Sequence, residues 1–308
     1  MSTPRVSVVI PTKNGAKTLP ALLDSLWRLP ERFPIEIVAI DSGSTDGTIE
    51  LLRPRVQKLL DVPAASFNHG LTRNAAIAAS TGEFIVLIVQ DAEPASPGWL
   101  NAIVAPLVQD PRVAGAFARQ QPRSDASAIT RWYAERWIAG ALEPRVVSIP
   151  DPGDFDRLEP MQRLRAYAFD NVCSCIRRSV WDTVPFRATT IAEDLEWALE
   201  VLRAGHRIAY VPEAIVTHSH ERSASSELRR TRLLHERLFA LYGLRTIPTL
   251  VDLARAVTSS VVNHAWVSRR EPWTIARGAG LAVAWPLGQY LGGRAGERNE
   301  TAAVSRGV

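Results

Sequence analysis

Phe84-Ile85-Val86-Leu87-Ile88-Val89-Gln90-Asp91-Ala92-Glu93-Pro94 opens with six apolar residues, four of them β-branched, and breaks off into two carboxylates and a proline. An unbroken apolar run of that length reads as a strand buried on both faces, the kind found in parallel sheets covered by helices. Working outward, residues 6–10, 35–40, 62–67 and 113–117 are further short β-branched runs. Residues 18–28, 48–60, 71–80 and 99–108 carry helical character between them. The expected fold is therefore α/β, with a mostly parallel, Rossmann-like sheet and helices on both faces. Ligands in such sheets bind beyond the carboxyl ends of the strands. The loops after Ile10, Ile40 and Val89 are thus the places to look for chemistry.

The alternation fades over residues 120–160, where one helical stretch, 130–142, stands among Pro, Asp and Arg. A second structured block follows, with a strand at 168–176, a helix at 193–204 and strands at 208–211 and 214–217. Beyond residue 225 the chain reads as helical throughout. The 308 residues suffice for one large core with a helical appendage, divided here as 1–120, 121–225 and 226–308. The net charge is +4, and lysine occurs only at Lys13, Lys17 and Lys58, so arginine supplies nearly all the cations. Arginine forks suit phosphates and carboxylates. Neither a concentrated basic face nor a nucleic-acid-binding module is present, and nucleic acid is not an expected partner. Cys173 and Cys175, two apart on a strand, are expected to be buried free thiols. The opening residues show no charged-then-apolar leader, which points to the cytoplasm. The apolar residues 281–291 are far fewer than the ~20 that span a bilayer. Packing against the domain is the expectation for them, with peripheral contact at a membrane face the alternative. Trp132, Tyr133 and Trp137 are read as core in preference to sugar-stacking rings. Arg229, Arg230, Arg232 and Arg237 are read as a solvated helix face in preference to a lipid-binding one.

The loop after the first strand, Pro11-Thr12-Lys13-Asn14-Gly15, has neither the G-x-G-x-x-G of dinucleotide-binding enzymes nor a P-loop. A sugar nucleotidyltransferase, which needs a glycine-rich loop there, is disfavoured. The second strand exits into Asp41-Ser42-Gly43-Ser44-Thr45-Asp46-Gly47-Thr48, where Asp41 is placed to accept from a base or ribose. Asp46 serves equally well as a ligand contact or as a cap of the next helix. In Phe67-Asn68-His69-Gly70-Leu71-Thr72-Arg73-Asn74, Arg73 falls in a first helical turn, suited to a diphosphate. His69 and Asn74 divide evenly between ligand and structural roles. Asp91 and Glu93, two apart in an extended chain, would face one spot and offer hard oxygen ligands for Mg²⁺ or Mn²⁺. Glu193-Asp194 opens a helix, where acids also simply favour the dipole. His218 and His220 share a face if the last strand continues, and either can join a metal shell.

In this order the motifs resemble glycosyltransferase family 2, and within it the bacterial rhamnosyltransferase-like members, over roughly residues 6–246. The resemblance rests on Val6–Gly15, Asp41–Thr48, Phe67–Asn74, Gln90–Pro94, Ala192-Glu193-Asp194-Leu195-Glu196-Trp197 and His218-Ser219-His220-Glu221-Arg222-Ser223. It implies a GT-A fold, a divalent cation (Mn²⁺ or Mg²⁺) and inversion by single displacement. The implied donor is a nucleotide-diphosphate sugar, foremost dTDP-rhamnose, and the acceptor a saccharide or lipid-linked sugar of a cell-surface polysaccharide. Assembly is implied on the cytoplasmic side, with the inner membrane face as a peripheral site. Carried onto this chain, Asp194 is the base. Pro11, Thr12, Asn14, Asp41, Ser42, Asp46, His69, Arg73 and Asp91 serve the nucleotide sugar, and Asp91, Glu93, His218 and His220 the metal. The family's commoner metal motif ends in Asp where this chain has Glu93. A non-catalytic assembly subunit that binds nucleotide sugar is the rival reading, and the intact carboxylates speak against it.

Overall fold

The computed structural model describes residues 5–28, 35–269 and 271–305, with side chains as far as residue 301. Residues 1–4 of the opening that was read for a leader lie outside these. The chain forms two compact units, one of Met1–Gln121, Trp137–Asp154 and Tyr167–His218, the other of Pro122–Arg136, Phe155–Ala166 and Ser219–Val308.

Among the described residues the first unit holds nine strands in one mixed sheet. These are β1 (Val6–Thr12), β2 (Ile35–Asp41), β3 (Lys58–Asp61), β4 (Phe84–Ile88), β5 (Glu93–Pro94), β6 (Val113–Gln121), β7 (Arg145–Val147), β8 (Cys173–Arg177) and β9 (Arg207–Thr217). Its helices are α1 (Leu19–Trp27), α2 (Thr48–Leu52), α3 (His69–Ala79), α4 (Trp99–Gln109), α8 (Arg178–Trp181) and α9 (Glu193–Arg203). The short helices α6 (Pro152–Asp156) and α7 (Pro160–Tyr167) lie where the chain passes between units. The order is β3-β2-β1-β4-β8-β6-β9-β5, with β7 on β9. From β3 to β4 all pairs are parallel, while β8 runs antiparallel to both of its neighbours, β4 and β6. Every residue of β4 is buried, as its unbroken apolar run requires. Alternate residues Val6, Val8 and Ile10, Phe84, Val86 and Ile88, and Cys173 and Cys175 join the leucines of α1 and Trp99, Ile103 and Leu107 of α4 in one core. Both thiols are free and buried, and burial raises their pKa.

Four boundaries depart from the sequence reading. Helix α2 stops at Leu52 because Pro54 follows, and Gln57 then docks on Ile37 through two hydrogen bonds to start β3. Strand β3 therefore precedes the expected 62–67, where Pro63 leads instead into a turn of 3₁₀ helix, Ala64–Ser66. The expected strand at 168–176 starts only at Cys173, since Asn171 and Val172 give their N–H groups to side chains. The two expected strands after residue 207 are one, β9, with a register slip against β6 between Ala118↔Val211 and Arg119↔Ile215. Pro212, which has no N–H to donate, falls in that bulge.

The second unit contains α5 (Ala128–Ala134), α10 (Ala224–Tyr242), α11 (Leu250–Ser268) and α12 (Ile275–Ser305). Ser127, Ser223 and Thr249 cap the first three with side-chain oxygens, and Gly243 ends α10 in the left-handed region at φ 68°. The apolar residues 281–291 form part of α12, with Leu281, Ala282, Ala284 and Tyr290 buried. Trp285 donates to the buried Glu227 of α10 at 2.8 Å, and its ring centroid lies 3.7 Å from that of Tyr133. Trp132 is half-buried under Arg136, while Trp137, in the first unit, is partly exposed. Arg229, Arg230 and Arg232 are exposed and Arg237 is half-buried. Among the described residues no helix is long and apolar enough to cross a membrane.

Helices α10 and α12 touch through glycines four apart, Gly288, Gly292 and Gly296. A Cβ on Gly292 would come 2.3 Å from the Arg232 carbonyl, whereas one on Gly293 would meet nothing closer than 3.9 Å. Gly292→Ala should therefore lower the melting temperature, an overpacking cost of ~1–3 kcal/mol outweighing the better helix former. Gly293→Ala should raise it or leave it unchanged. A thermal melt of the two variants beside the parent checks the pair.

Candidate active site

Strand polarity collects the site at one edge of the sheet. Strands β1, β2, β4, β6 and β9 bring their carboxyl ends there, and antiparallel β8 brings the residues that precede it. The edge thus carries Thr12, Asp41, Asp91, Gln120, Asp170 with Asn171, and His218.

The first two loops lock each other. Thr12 Oγ1 donates to Asp41 at 2.9 Å, and the Asp41 carboxylate also accepts from Ser44 N (2.7 Å) and Ser44 Oγ (2.6 Å). Asn14, held at φ 48°, takes a hydrogen bond from Thr45 N and gives one to Ser44 Oγ. Lys13 Nζ donates to the Ser42 carbonyl. Asp46, exposed, accepts from Ala16 N and from Thr48 N and Oγ1, and the Thr48 hydroxyl foremost among these holds its pKa below the ordinary value. Pro11 sits within β1 against Ile40. Ser42 Oγ is buried without a hydrogen-bond partner among the described residues. A cavity of about 340 Å³ adjoins these loops, lined by Asp41, Arg53, Leu59, Leu60 and Asp61 among others.

The segment 67–74 docks α3 on the loop that leads to α9. Asn68 caps α3 and accepts from Thr189 N as well. Gly70 allows close approach, since a Cβ there would lie 1.9 Å from the Arg187 carbonyl. Asn74 is structural, giving to the Phe186 carbonyl and accepting from Trp181 and Phe186 N. Arg73 is not an open fork at a helix end. It is 6% exposed and pairs with Glu193 at 2.7 Å, its Nε buried without a partner among the described residues. Half-buried His69 stands beside this pair, and burial lowers its pKa.

Glu193 and Asp194 open α9 directly after Ala192, which is held in the left-handed region at φ 62°, ψ 35°. Burial works against the charge of Glu193, yet the adjacent Arg73 guanidinium holds its pKa below the ordinary value. Among the described residues Asp194 has no such cation in contact. Its Oδ2 accepts from Asn171 N at 3.1 Å and its Oδ1 from Leu195 N. Burial first, then the charges of Glu193 and Asp170, push its pKa up to about 8.

The extended geometry expected for Asp91 and Glu93 is absent. The chain turns at Val89–Ala92, with Ala92 N bonded to the Val89 carbonyl, and Glu93 enters β5 opposite Thr217. Asp91 instead faces His218, with Oδ1 3.7 Å from Nε2. His220 lies in the second unit.

Two residues absent from the sequence reading orient His218. Gln120 Nε2 donates to Asp170 Oδ2 (2.8 Å), and Gln120 Oε1 lies 3.0 Å from His218 Nδ1. A carboxylate only accepts, so the amide orientation follows, and His218 must carry its proton on Nδ1. The Nε2 lone pair then points toward Asp91, the arrangement of a metal-binding imidazole held by an outer hydrogen bond. Asp170 also accepts from Trp137 Nε1 and Val172 N. No motif marks Gln120 or Asp170. The only signal was position, one at the carboxyl end of a strand and the other just before the next.

Residues 7–147 match the family described as glycosyl transferase family 2. Two O-antigen chain rhamnosyltransferases are similar over most of the chain. RfbN of Salmonella typhimurium is 28% identical over 73% of this chain and 70% of its own. WbaN of Salmonella anatum is 29% identical over 74% and 70%. Among solved structures, the mannosyltransferase PcManGT from Pyrobaculum calidifontis, in complex with GDP-Man and Mn²⁺, superposes with a TM-score of 0.60 at 17% identity, covering 94% of this chain and 88% of its own. Glucosyl-3-phosphoglycerate synthase from Mycobacterium tuberculosis, in complex with Mn²⁺, UDP and glucosyl-3-phosphoglycerate, gives 0.54 at 18%, covering 78% and 81%. The family match thus covers residues 7–147, while the chain as a whole is similar to the two rhamnosyltransferases and takes the α/β fold, of GT-A type, of the solved glycosyltransferases.

Proposed function

We propose that this glycosyltransferase inverts configuration, uses Mn²⁺ or Mg²⁺, and moves a sugar from a nucleotide-diphosphate donor to a saccharide or lipid-linked acceptor in cell-surface polysaccharide assembly. Rhamnose is the donor group the relatives favour, and dTDP-rhamnose is the activated form we propose for it. The observation that carries the reading is the division of labour between adjacent acids: Glu193 is neutralised by Arg73, and Asp194 is left as a carboxylate of raised basicity.

In this reading the nucleoside occupies the cavity beside Asp41. Pro11, Thr12 and Asn14 shape that wall through the interlocked loops, with Asp46 bracing their far end. Arg73 and His69 act as positioning residues behind Glu193. Asp91 and His218 would hold the cation, an oxygen and a nitrogen donor that suit Mn²⁺ slightly better than Mg²⁺. Glu93 contributes through β5. When bound, the ion neutralises charge on the departing diphosphate. Asp194 takes the proton of the acceptor hydroxyl as that oxygen bonds to the anomeric carbon, and the bond from carbon to the diphosphate oxygen breaks on the opposite face. A base of raised pKa drives this transfer better than an ordinary carboxylate near 3.9.

Three outcomes are expected. Incubated with a panel of nucleotide sugars, the protein releases a nucleoside diphosphate from one of them, Asp91→Ala loses the metal requirement together with donor binding, and Asp194→Asn binds donor but turns over ~10²–10⁴-fold more slowly. No turnover and no metal-assisted nucleotide binding would leave the non-catalytic reading. Because Asp194 must be ionised to act, kcat/KM should rise with pH and level off only near the raised pKa of about 8. An acid limb near pH 4 would remove Asp194 from the role. Gln120→Leu should weaken Mn²⁺ binding, read by the paramagnetic resonance of the free ion, by ~10–100-fold through loss of the His218 tautomer. Unchanged affinity would show that Gln120 does not orient the histidine.

A further inference from the structure

A cavity of about 700 Å³ lies wholly within the second unit. Its walls are the turn 124–127 that leads into α5, the segment 221–223 before α10, and the start of α12 with the turn of 3₁₀ helix, Pro272–Thr274, that precedes it. Among the described residues three acids line it, Asp125, Glu221 and Glu271, against three arginines, Arg131, Arg222 and Arg277. Most of these charges are held in place. Glu271 accepts from Ala128 N at 2.8 Å and from Arg131. Glu221 accepts from Ser127 N at 2.8 Å and pairs with Arg277. The Ala128 N–H foremost, with Arg131 beside it, holds the Glu271 pKa below its ordinary value, so this carboxylate stays ionised. Arg222 reaches Glu227 of α10 at 3.8 Å, and Asp125 is exposed.

Such a lining selects its ligand by chemistry. The charges cancel, and each of the three arginines already faces a carboxylate, so a phosphate would have to displace one. A sugar hydroxyl both donates and accepts, and carboxylate oxygens have lone pairs to spare beyond the bonds they already take. Carboxylates and guanidiniums side by side therefore satisfy a hydroxyl in both directions. Trp273 completes the set, a ring 78% exposed that belongs to the cavity wall. Thr274 gives its N–H and its hydroxyl to the Glu271 carbonyl, at 2.9 and 2.7 Å, which fixes the turn carrying that ring. Ion pairs alone would be accounted for as ties between α5, the segment 221–223 and α12. They do not account for an indole left in water at a polar cavity, where its face suits the C–H face of a pyranose.

From this constellation we propose that the second unit carries a saccharide-binding site of its own, which holds a stretch of the acceptor glycan. The volume falls within the ~300–1,000 Å³ of sites that take drug-sized ligands, enough for a short oligosaccharide. Asp91, Glu193 and Asp194 all belong to the first unit, so this site shares none of the acids assigned to transfer. It rests on the proposed function only in taking the bound glycan to be the acceptor. Contacts far from the reacting carbon hold substrate and transition state alike. The site therefore lowers KM for long acceptors and leaves kcat as it is.

The test is calorimetry of the full chain, with EDTA and no donor, against tetrasaccharides of rhamnose, mannose and galactose and against rhamnose itself. At least one tetrasaccharide should bind, more tightly than the single sugar, and pyrophosphate should not displace it. Trp273→Ala should weaken that binding roughly tenfold, and Trp273→Phe should restore most of it. Asp125→Asn should weaken it by roughly the same factor. Asp91→Ala and Asp194→Asn should bind the tetrasaccharide as the parent does. In transfer assays Trp273→Ala should raise KM for a long acceptor, with kcat unchanged and a one-sugar acceptor unaffected. Glycan binding can thus fail while transfer stands, or stand where transfer fails. The inference falls if no tetrasaccharide binds, if Trp273→Ala binds as tightly as the parent, or if pyrophosphate displaces the sugar.

Discussion

The buried contact between Arg73 and Glu193, at 2.7 Å, ties the second turn of α3 to the first turn of α9. Removing one member of such a pair strands a charge in a dry environment, which typically costs ~3–5 kcal/mol, so the two helices are bound to a common position. The surrounding hydrogen bonds take their geometry from it. Asn68 caps α3 and reaches Thr189, Asn74 anchors Phe186, and Asn171 gives its side-chain N–H to Glu193 and its backbone N–H to Asp194. Glu193 is thereby spent on architecture. Its neighbour, without a cation of its own and next to Asp170, has the electrostatics of a base. Identical chemistry in adjacent residues is thus divided by what each one touches.

A second constraint is the sheet order. Insertion of an antiparallel strand, β8, between β4 and β6 brings the start of one strand to the edge where its neighbours end. Asp170 therefore stands beside Gln120, fifty positions earlier in the chain, and the chain of contacts to His218 and on toward Asp91 closes. A purely parallel arrangement would send the residues before β8 to the far side.

Much of this was legible in the sequence, and for stated reasons. Long apolar runs such as 84–89 marked strands, because a strand buried on both faces has no alternation to disguise. Polar clusters directly after them marked the loops at the site. Boundaries failed where proline decided them: Pro54 shortened α2 and moved β3 forward, Pro63 ended that strand, and Pro212 turned an apparent loop into a bulge. Site geometry was hidden where local conformation decides it. Asp91 and Glu93 were treated as extended neighbours, but a turn separates their directions. Arg73 suited a phosphate by its place in the helix, and only the fold shows which carboxylate reaches it first. Gln120 and Asp170 are single polar residues whose meaning depends entirely on strand pairing, which no short window of sequence contains.

Ala192 holds a backbone conformation that glycine would enter more easily, and it does so on the last peptide before Glu193 and Asp194. An alanine forced there carries strain of order 1 kcal/mol. What it offers in return is a narrower set of alternatives, because a Cβ excludes most of the wide range a glycine would sample. The entropy of aligning the carboxylate is largely surrendered when the chain folds, and little of that debt is left to fall on the moment an acceptor arrives.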